Sequence, residues 1–238
     1  MAPSSPTRPE VSVVIPARNE ERYIRAALAS VAAQTWPLTL LEAVVVDNGS
    51  TDATREVVQA FMATEPHLTL RLVDEPARGV ARAKNRGASV AQGRWLIFLD
   101  ADSRMAPDLV ERVMHRSHQG HPAGSIRVVA DSHDILDRAF FGLIEFGKVL
   151  FRLRAQMFYC ERALFMQCGG FDEHLQLAED LEFLGRLQRA GIAVCHVTES
   201  WITTSSRRLH TLPCRVGMPA MLARWALARW GLGRRWRY

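Results

Sequence analysis

Strand-like and helix-like patterns alternate through the first hundred residues of this chain, and that alternation constrains its fold more than any other feature. Short apolar runs typical of buried strands lie at 11–15, 43–46, 68–73 and 95–99, and stretches with helical spacing lie between them at 20–34, 51–63 and 80–91. Such β-α alternation builds a sheet with right-handed crossovers and helices on both faces. The sequence therefore predicts an α/β fold with a doubly wound, mostly parallel sheet.

Two of these helices carry recognisable start signals. Glu20 and Glu21 would lie in the first turn of the first helix, where the helix dipole favours acids. Ser50 or Thr51 would cap the second helix. We therefore expect the first helix to begin at Glu20 and the second at Ser50 or Thr51.

The second half of the chain is less regular. The patterns predict helices at 107–119, 135–153 and 179–190 and strands at 125–130 and 192–197. The helix at 135–153 has an aromatic and aliphatic face that includes Phe140, Phe141, Ile144 and Val149. That face either joins the core or forms an exposed acceptor platform, and we expect the core.

The strand at 95–99 is followed at once by two carboxylates, Asp100 and Asp102, with Ala101 between them. Ligands of open α/β folds bind at the carboxyl edge of the sheet, where these side chains must lie. Two such groups repel each other unless a cation lies nearby, and hard divalent ions prefer oxygen ligands. The pair predicts a metal-bridged diphosphate ligand, although an acidic turn after a strand is also common.

Three further polar segments belong to the same pattern. Pro-Ala-Arg-Asn-Glu at 16–20 and Asp-Asn-Gly-Ser-Thr-Asp at 47–52 follow the first two strands, and Gly-Gly-Phe-Asp at 169–172 precedes Glu179-Asp180. Each segment is a weak signal alone. Their order and spacing together are specific.

On these motifs, together with Asn85 and the Asp-x-Asp, the chain resembles the inverting glycosyltransferases of family 2, which have the GT-A fold. The resemblance runs from about residue 11 to residue 208, which is most of the chain. It implies transfer of a sugar from a nucleotide-diphosphate donor, a UDP- or GDP-sugar, to an acceptor hydroxyl. It also implies a divalent metal cofactor, Mn²⁺ or Mg²⁺.

The resemblance also assigns the donor site. Pro16, Ala17, Glu20 and Asp47 would hold the nucleoside, Asp100 beside Ala101 would contact the ribose, and Asp102 would bind the metal. The cationic segment at 78–87 opens a helix, and a helix N-terminus with cations favours phosphate. Lys84 and Asn85 of this segment join the expected donor-binding residues, although Lys84 replaces the arginine that the family usually has and so lacks a bidentate fork.

Asp180 is the expected catalytic base, with Glu179 beside it in the catalytic pair. The acceptor hydroxyl must lose a proton as it attacks the anomeric carbon, and a positioned carboxylate can accept that proton. A dedicated base implies direct displacement with inversion. The structural alternative is that both acids only favour the start of a helix.

The region after the last strand offers three more candidates. Related GT-A enzymes often close the donor site with a histidine or an arginine from this region. The resemblance makes His210 a candidate third metal ligand and Arg207 or Arg208 a candidate diphosphate clamp.

Other function classes fit the sequence less well. A dinucleotide-dependent oxidoreductase needs Gly-x-Gly-x-x-Gly after the first strand, and this loop has no glycine. A nucleotidyltransferase usually carries a glycine-rich basic loop there. No nucleic-acid motif is present. A catalytically inactive nucleotide-sugar-binding protein remains the alternative.

The expected organisation is a disordered leader at 1–10, a GT-A domain at 11–212 and a C-terminal extension at 213–238. The domain divides into a nucleotide-binding half at 11–102 and an acceptor half at 103–212. No signal peptide or span is evident, and the four cysteines lack a disulfide pattern. We therefore expect a cytoplasmic protein.

The net charge of +5 comes from the C-terminal end of the chain. Residues 207–238 contain eight arginines, three tryptophans and no acid, whereas the remainder carries 22 basic and 25 acidic residues. This composition is typical of segments at membrane interfaces. The extension either packs on the domain or lies on the inner face of the membrane, in which case the unknown acceptor would be lipid-linked or serve envelope polysaccharide synthesis.

Overall fold

The computed structural model describes residues 8–150, 157–175 and 178–210, and of residues 208 and 209 only the backbone. Eight strands of this part form one sheet: β1 Val11–Ala17, β2 Leu41–Asp47, β3 Thr69–Asp74, β4 Trp95–Phe98, β5 Ser103–Met105, β6 Ala123–Asp131, β7 Phe158–Glu161 and β8 Val194–Ser205. Their order in space is β3-β2-β1-β4-β7-β6-β8-β5. Leader residues 1–7 and the extension at 213–238 lie outside the described residues, so their expected roles stay predictions.

The sheet is parallel where the alternating pattern predicted it. β1 pairs in parallel with β2 and β4, and β2 pairs in parallel with β3. Beyond β4 the sheet becomes mixed, because β7 runs antiparallel to both β4 and β6 and β5 runs antiparallel to β8. The predicted α/β fold with a mostly parallel first half is confirmed.

Seven α-helices flank this sheet: α1 Ile24–Ala32, α2 Thr54–Thr64, α3 Val80–Val90, α4 Leu109–His118, α5 Ile135–Leu150, α6 Arg162–Gln167 and α7 Glu179–Arg189. Helices α1, α2, α4 and α5 contribute to one apolar cluster, and α3, α6 and α7 contribute to a second one on the other face. Successive side chains of β1 point to opposite faces of the sheet, since Val13 joins the first cluster and Val14 joins the second. Within the described ranges, none of these helices is both long and apolar enough to cross a membrane.

Three short elements, β5, β7 and α6, were not predicted from the sequence. They contain three, four and six residues. Segments of this length show neither a strand period nor a helix period clearly. The two strands, β5 and β7, form by pairing with β4, β6 and β8, to which they are joined through distant parts of the chain.

The first two helices begin later than the sequence predicted. Helix α1 begins at Ile24, and the backbone amides of Glu20 and Glu21 donate to the side chains of Thr54 and Asp52 in the facing loop. Helix α2 begins at Thr54, and its N-cap position is Ala53, which makes no side-chain cap bond. The expectation that these acids and caps start the helices was therefore wrong.

Ser50 and Thr51, the expected caps, bond to Asn19 in the facing loop. The Asn19 amide donates to Ser50 Oγ, and the Thr51 amide donates to Asn19 Oδ1 at 2.8 Å. Asn19 has a positive φ of 54°, a conformation that asparagine tolerates better than most residues. The loops after β1 and β2 therefore form one hydrogen-bonded unit.

Helix α5 contributes to the core, but only with part of its predicted apolar face. Phe140, Phe141 and Ile144 are buried, as expected, whereas Val149 is exposed. The helix is therefore apolar on more than one side.

Helix α3 lies unusually close to the sheet at Gly87. A Cβ built at this position would lie 2.3 Å from Val14 Cγ1 and 3.1 Å from Val46 Cγ2. Both valines are fully buried in their strands and cannot move aside. The missing side chain sets the distance between α3 and the sheet.

We expect Gly87→Ala to lower the free energy of unfolding by about 1–3 kcal/mol, because the added methyl group overpacks the core. Gly185→Ala is the matched control, since this glycine also lies within a helix but has open space around a built Cβ. The control should leave stability unchanged or raise it by up to about 1 kcal/mol. Denaturant unfolding measures both, and equal stability of the two variants would contradict the close approach.

Candidate active site

A cavity of about 1050 Å³ opens at the carboxyl ends of β1, β2 and β4. The sheet order places β1 between β2 and β4, and the connections reverse there: α1 and α2, which follow β1 and β2, pack on one face, whereas α3, which leads to β4, packs on the other. Open α/β sheets bind ligands at such a switch point. The cavity is lined by Pro16, Ala17, Arg18, Glu20, Asn48, Arg78, Gly79, Val80, Ala83, Lys84, Asp100, Ala101, Asp102, His174, Glu179 and Arg207.

Many of the predicted site residues therefore meet around one space. They come from five separate parts of the chain: the end of β1, the start of α3, the end of β4, the start of α7 and the segment after β8. The predicted residues in the wall are Pro16, Ala17, Glu20, Lys84, Asp100, Ala101, Asp102, Glu179 and Arg207. The side chain of Arg208 lies outside the described residues.

Asp47 is placed differently from its neighbours in the motif. Its carboxylate is buried, where Oδ2 accepts a bond from Arg55 at 2.9 Å and Oδ1 accepts one from the Ser50 amide at 3.0 Å. Burial opposes its charge, but the bonds from Ser50 and Arg55 hold the pKa of Asp47 below its ordinary value. In this geometry the carboxylate stabilises its own turn, and its role toward a nucleoside stays a prediction.

Asn48, which the sequence analysis did not nominate, shapes the cavity wall. Its Nδ2 donates to the carbonyl oxygens of Glu75 and Ala77, and its Oδ1 accepts a bond from the Gly79 amide. These bonds fix the loop that leads into α3. The Asp-Asn-Gly-Ser motif contained this residue, but its partners are about thirty residues away and were invisible in the sequence.

Lys84 lies at the centre of the acidic side of the cavity. Its ammonium group donates to Glu179 Oε1 at 2.7 Å and lies 3.8 Å from Asp100 Oδ1. Although burial opposes the charge, the carboxylates of Glu179, Asp100 and Asp180 raise the pKa of Lys84 above its ordinary value. Lys84 is therefore a fixed cation, engaged by carboxylates, at the wall of the predicted donor site.

Asp180 follows Glu179 at the start of α7 and is partly buried. Burial and the charge of Glu179 raise the pKa of Asp180 to about 6, against the opposing charge of Lys84. The Leu181 amide donates to its Oδ1 at 2.8 Å. Glu179 contributes to the cavity wall and Asp180 follows it in the helix, so the pair brings a weakly acidic carboxyl group close to the cavity.

Asn85 has a structural contact that the prediction did not foresee. Its Nδ2 donates to the carbonyl oxygen of Phe171, and its Oδ1 accepts a bond from the Phe171 amide at 2.9 Å. Gly170 has no room for a Cβ, which would lie 2.6 Å from this Oδ1. Asn85 thus holds the Gly-Gly-Phe-Asp turn against α3, and its expected contact with the donor stays a prediction.

A cluster of five phenylalanines lies behind this turn. The rings of neighbouring members have centroids 4.9–5.6 Å apart, and the members are Phe98, Phe158, Phe165, Phe171 and Phe183. Aromatic packing of this kind is stabilising and geometrically specific. The phenylalanine cluster fixes the end of β4, and with it Asp100, relative to Glu179 and Asp180 at the start of α7.

Arg207 bridges Glu20 and Asp102, two acids on the side of the cavity opposite Lys84. Its Nη2 contacts Asp102 Oδ2 at 3.0 Å and also donates to Glu20 Oε1. Its guanidinium lies over the ring of Tyr23, 4.5 Å from the centroid. The predicted clamp residue therefore reaches the site and lies beside the predicted metal ligand.

His210 is placed elsewhere. Its Nε2 lies 3.0 Å from Asp137 Oδ2, at the first turn of α5. Among the residues that the structure describes, no three His, Cys, Asp or Glu side chains are grouped to hold a metal ion. A role for His210 as third metal ligand would require its ring to leave Asp137.

The carboxylates fit a divalent ion that takes its remaining ligands from a substrate. Asp102 and Glu20 both contact one nitrogen of Arg207, so their oxygens converge on a position that a cation already occupies. Mg²⁺ and similar hard ions are commonly bound through one or two carboxylates together with phosphate oxygens and water. Two carboxylates, from Asp102 and Glu20, suit an ion that completes its coordination with substrate and water rather than one held by protein ligands alone.

The chain was compared with known proteins. It is 30% identical over 244 residues to validoxylamine A glucosyltransferase of Streptomyces hygroscopicus subsp. jinggangensis, covering 85% of this chain and 57% of that protein. Other curated relatives, from Escherichia coli and Haloferax volcanii, are matched over 29% and 34% of their length. The chain thus spans between about a third and rather more than half of these relatives.

Solved structures share the fold. The mannosyltransferase PcManGT from Pyrobaculum calidifontis, solved with GDP-Man and Mn²⁺, is 25% identical, with a TM-score of 0.68 over 92% of this chain and 65% of that one. S. aureus TarS 1–349 with UDP-GlcNAc is 21% identical, with a TM-score of 0.68 over 83% of this chain and 59% of that one.

The family model described as glycosyl transferase family 2 matches residues 12–171, which include β1, the acids after β4 and the Gly-Gly-Phe turn. This range is more than half of the chain and contains most of the cavity wall. The chain belongs to glycosyltransferase family 2.

Proposed function

We propose that this chain is a metal-dependent inverting glycosyltransferase, which moves a sugar from a nucleotide-diphosphate donor to an acceptor hydroxyl. The observation that carries the proposal is the convergence of Asp100, Asp102 and Glu179 on one cavity, with Asp180 beside it. Membership of the family supports glycosyl transfer as the reaction class.

The donor site would be the cavity between β1, β2 and α3. Gly79 and Val80 place the N-terminal end of α3 in the wall, and Arg78 and Arg18 line it with further positive charge. Helix N-termini and cations favour phosphate groups. The complexes of PcManGT with GDP-Man and TarS with UDP-GlcNAc support a nucleotide-sugar donor, a UDP- or GDP-sugar, for this chain too.

Asp102 would hold the divalent metal, with Mn²⁺ or Mg²⁺ as candidates, and the Mn²⁺ of the PcManGT complex supports this assignment. Asp100, next to Ala101, would contact the ribose. When bound, the ion would stabilise the negative charge of the departing diphosphate. Arg207 already lies beside Asp102, so it can turn to the diphosphate without leaving the site.

Asp180 would act as the base. Its carboxylate takes the proton of the acceptor hydroxyl as that oxygen bonds to the anomeric carbon, and the bond from this carbon to the diphosphate oxygen breaks on the opposite side. One displacement inverts the anomeric configuration. The pKa of about 6 suits the role, because the group is ionised at neutral pH and still basic enough to accept a proton.

A lipid-linked or membrane-proximal acceptor, as in envelope polysaccharide synthesis, would suit an arginine- and tryptophan-rich extension on the inner face of the membrane. Cys160 and Cys168 are thiols rather than a disulfide, which supports a reducing compartment such as the cytoplasm.

A catalytically inactive nucleotide-sugar-binding protein is the second candidate, because the same cavity could hold a donor without turnover. Donor hydrolysis and transfer assays distinguish the two, since a binder shows metal-dependent affinity for nucleotide sugar but no product.

Asp180→Asn should keep donor affinity within a few-fold and reduce transfer by about two to four orders of magnitude, the range expected for loss of a general base. Glu182→Gln, in the same helix but paired with Arg186, is the matched control and should retain transfer. NMR of the product should show inversion with the native chain. A retained configuration would reject both the mechanism and the base.

Transfer should fall as the pH is lowered through about 6. The base works only when ionised, and the raised pKa of Asp180 means that protonation begins near pH 6 rather than near its ordinary value. The kcat/KM of the native chain, measured from about pH 5 to 8, should show this acidic limb. The residual activity of Asp180→Asn should not show this fall of kcat/KM toward low pH. The same fall in that variant would assign the titration to another group.

Asp102→Asn should abolish metal-dependent binding of nucleotide sugar while the chain stays folded, since this carboxylate lines the cavity, where it contacts Arg207 and Ser103. Asp131→Asn is the control, because Asp131 also pairs with an arginine, Arg104, but lies outside the cavity wall. Calorimetric titration with and without Mn²⁺ measures the effect. Metal-dependent affinity that survives in Asp102→Asn would exclude this carboxylate as the ligand.

A further inference from the structure

Helix α5 presents an apolar surface to solvent along its whole described length. Phe146 is 64% exposed, Leu143 is 61% exposed and Ile135 is 78% exposed. We call the exposed apolar residues of this helix the outer face of α5, and they are Ile135, Leu136, Ala139, Gly142, Leu143, Phe146, Val149 and Leu150. At 100° per residue they fall in one sector, so they form a continuous stripe.

The charged residues of the same helix point mainly inward. Asp137 is 1% exposed and bonds to Ser132 and His210. Lys148 is also buried, and its ammonium group contacts Glu145 at 2.5 Å.

Glu145 connects this buried charge to the sheet. Its Oε1 accepts a bond from the Val128 amide of β6, and its Oε2 lies 3.2 Å from His196 Nε2 of β8. These contacts fix the rotation of α5. The outer face therefore cannot turn into the core without breaking a buried ion pair, which is strongly destabilising.

The outer side of α5 thus differs from that of a helix at a water surface, because it exposes apolar residues in place of charged ones. Such helices bury a stripe of apolar residues and expose their charges. Of the four charged residues between Ile135 and Leu150, Arg138 alone is exposed, and it lies at the edge of the outer face. A stripe of this kind indicates a surface that contacts something other than water.

In the sequence, arginines follow this helix and also follow His210, which contacts its first turn. Arg152 and Arg154 follow α5 directly in the chain. At the other end, His210 is bonded to Asp137 in the first turn of α5, so residues 211–238, with six arginines and no acid, continue from that point. Apolar side chains flanked by arginines match a bilayer whose headgroups are anionic.

We propose that the outer face of α5 is a docking site for an anionic lipid surface, into which Leu143, Phe146 and their neighbours insert. Residues 211–238 are a less favourable occupant of the outer face of α5. They would bring six arginines and no acid onto an apolar surface whose exposed charged residue is Arg138. Arg207, three residues before His210, lines the donor cavity. The docked lipid surface would therefore lie beside the rim of that cavity.

The test is co-sedimentation of the full chain with vesicles, which does not depend on catalysis. One set of vesicles contains phosphatidylcholine and phosphatidylglycerol in equal amounts, and the other contains phosphatidylcholine alone. The native chain should bind the anionic vesicles, and raised salt should weaken but not abolish this binding, because the apolar contribution is not screened. Leu143→Ser with Phe146→Ser should lower the partition coefficient by about tenfold or more, since each side chain loses its transfer free energy.

The matched control is Met62→Ser with Met166→Ser, which removes two exposed apolar side chains elsewhere on the surface. It should bind vesicles as the native chain does, and circular dichroism should show that both double variants are folded. Failure of the native chain to bind, or equal binding by the α5 variant, would overturn the proposal. A concentration-dependent dimer that the α5 variant abolishes would instead assign the outer face to a second copy. None of these outcomes bears on donor binding or transfer.

Discussion

Lys84 is a buried cation whose charge makes the acidic side of the active site possible. Three carboxylates, from Asp100, Glu179 and Asp180, act on this one ammonium group. Without it, their mutual repulsion in a partly desolvated cavity would favour protonation or separation of the acids. The bond from Lys84 to Glu179 also ties α3 to α7, which are 95 residues apart in sequence. Charge balance and architecture are therefore maintained by the same contact.

The opposite wall of the cavity is stabilised by hydrogen bonds between two loops. There the loops after β1 and β2 bond to each other through backbone amides and short polar side chains, such as Asn19 and Asp52. These bonds leave the carboxyl ends of β1 and β2 in fixed positions while keeping Pro16 and Ala17 in the cavity wall. One wall thus depends on the buried contact of Lys84 with Glu179, and the other on hydrogen bonds between two loops together with the pairing of Arg207 with Glu20 and Asp102.

The fold and much of the site could be predicted because they follow from local patterns. The β-α alternation predicted β1 to β4, and the position of Asp100 and Asp102 after an apolar run predicted their place at the sheet edge. What could not be predicted depends on distant partners: nothing near Asn85 in sequence indicates that it bonds to Phe171, and nothing near His210 indicates Asp137. Short elements such as β7 were missed for the same reason, since their pairing rather than their composition makes them strands.

The cavity wall carries equal numbers of opposite charges. Arg18, Arg78, Lys84 and Arg207 face Glu20, Asp100, Asp102 and Glu179. Under the proposed function, a diphosphate would bring negative charge into a space that is already balanced, and a divalent ion alone would bring positive charge. The diphosphate and the divalent ion therefore bind best together. Their binding is thermodynamically linked, so that each raises the affinity of the protein for the other by the same factor. Neutrality of the wall would in this way favour entry of the donor and its counterion as a pair.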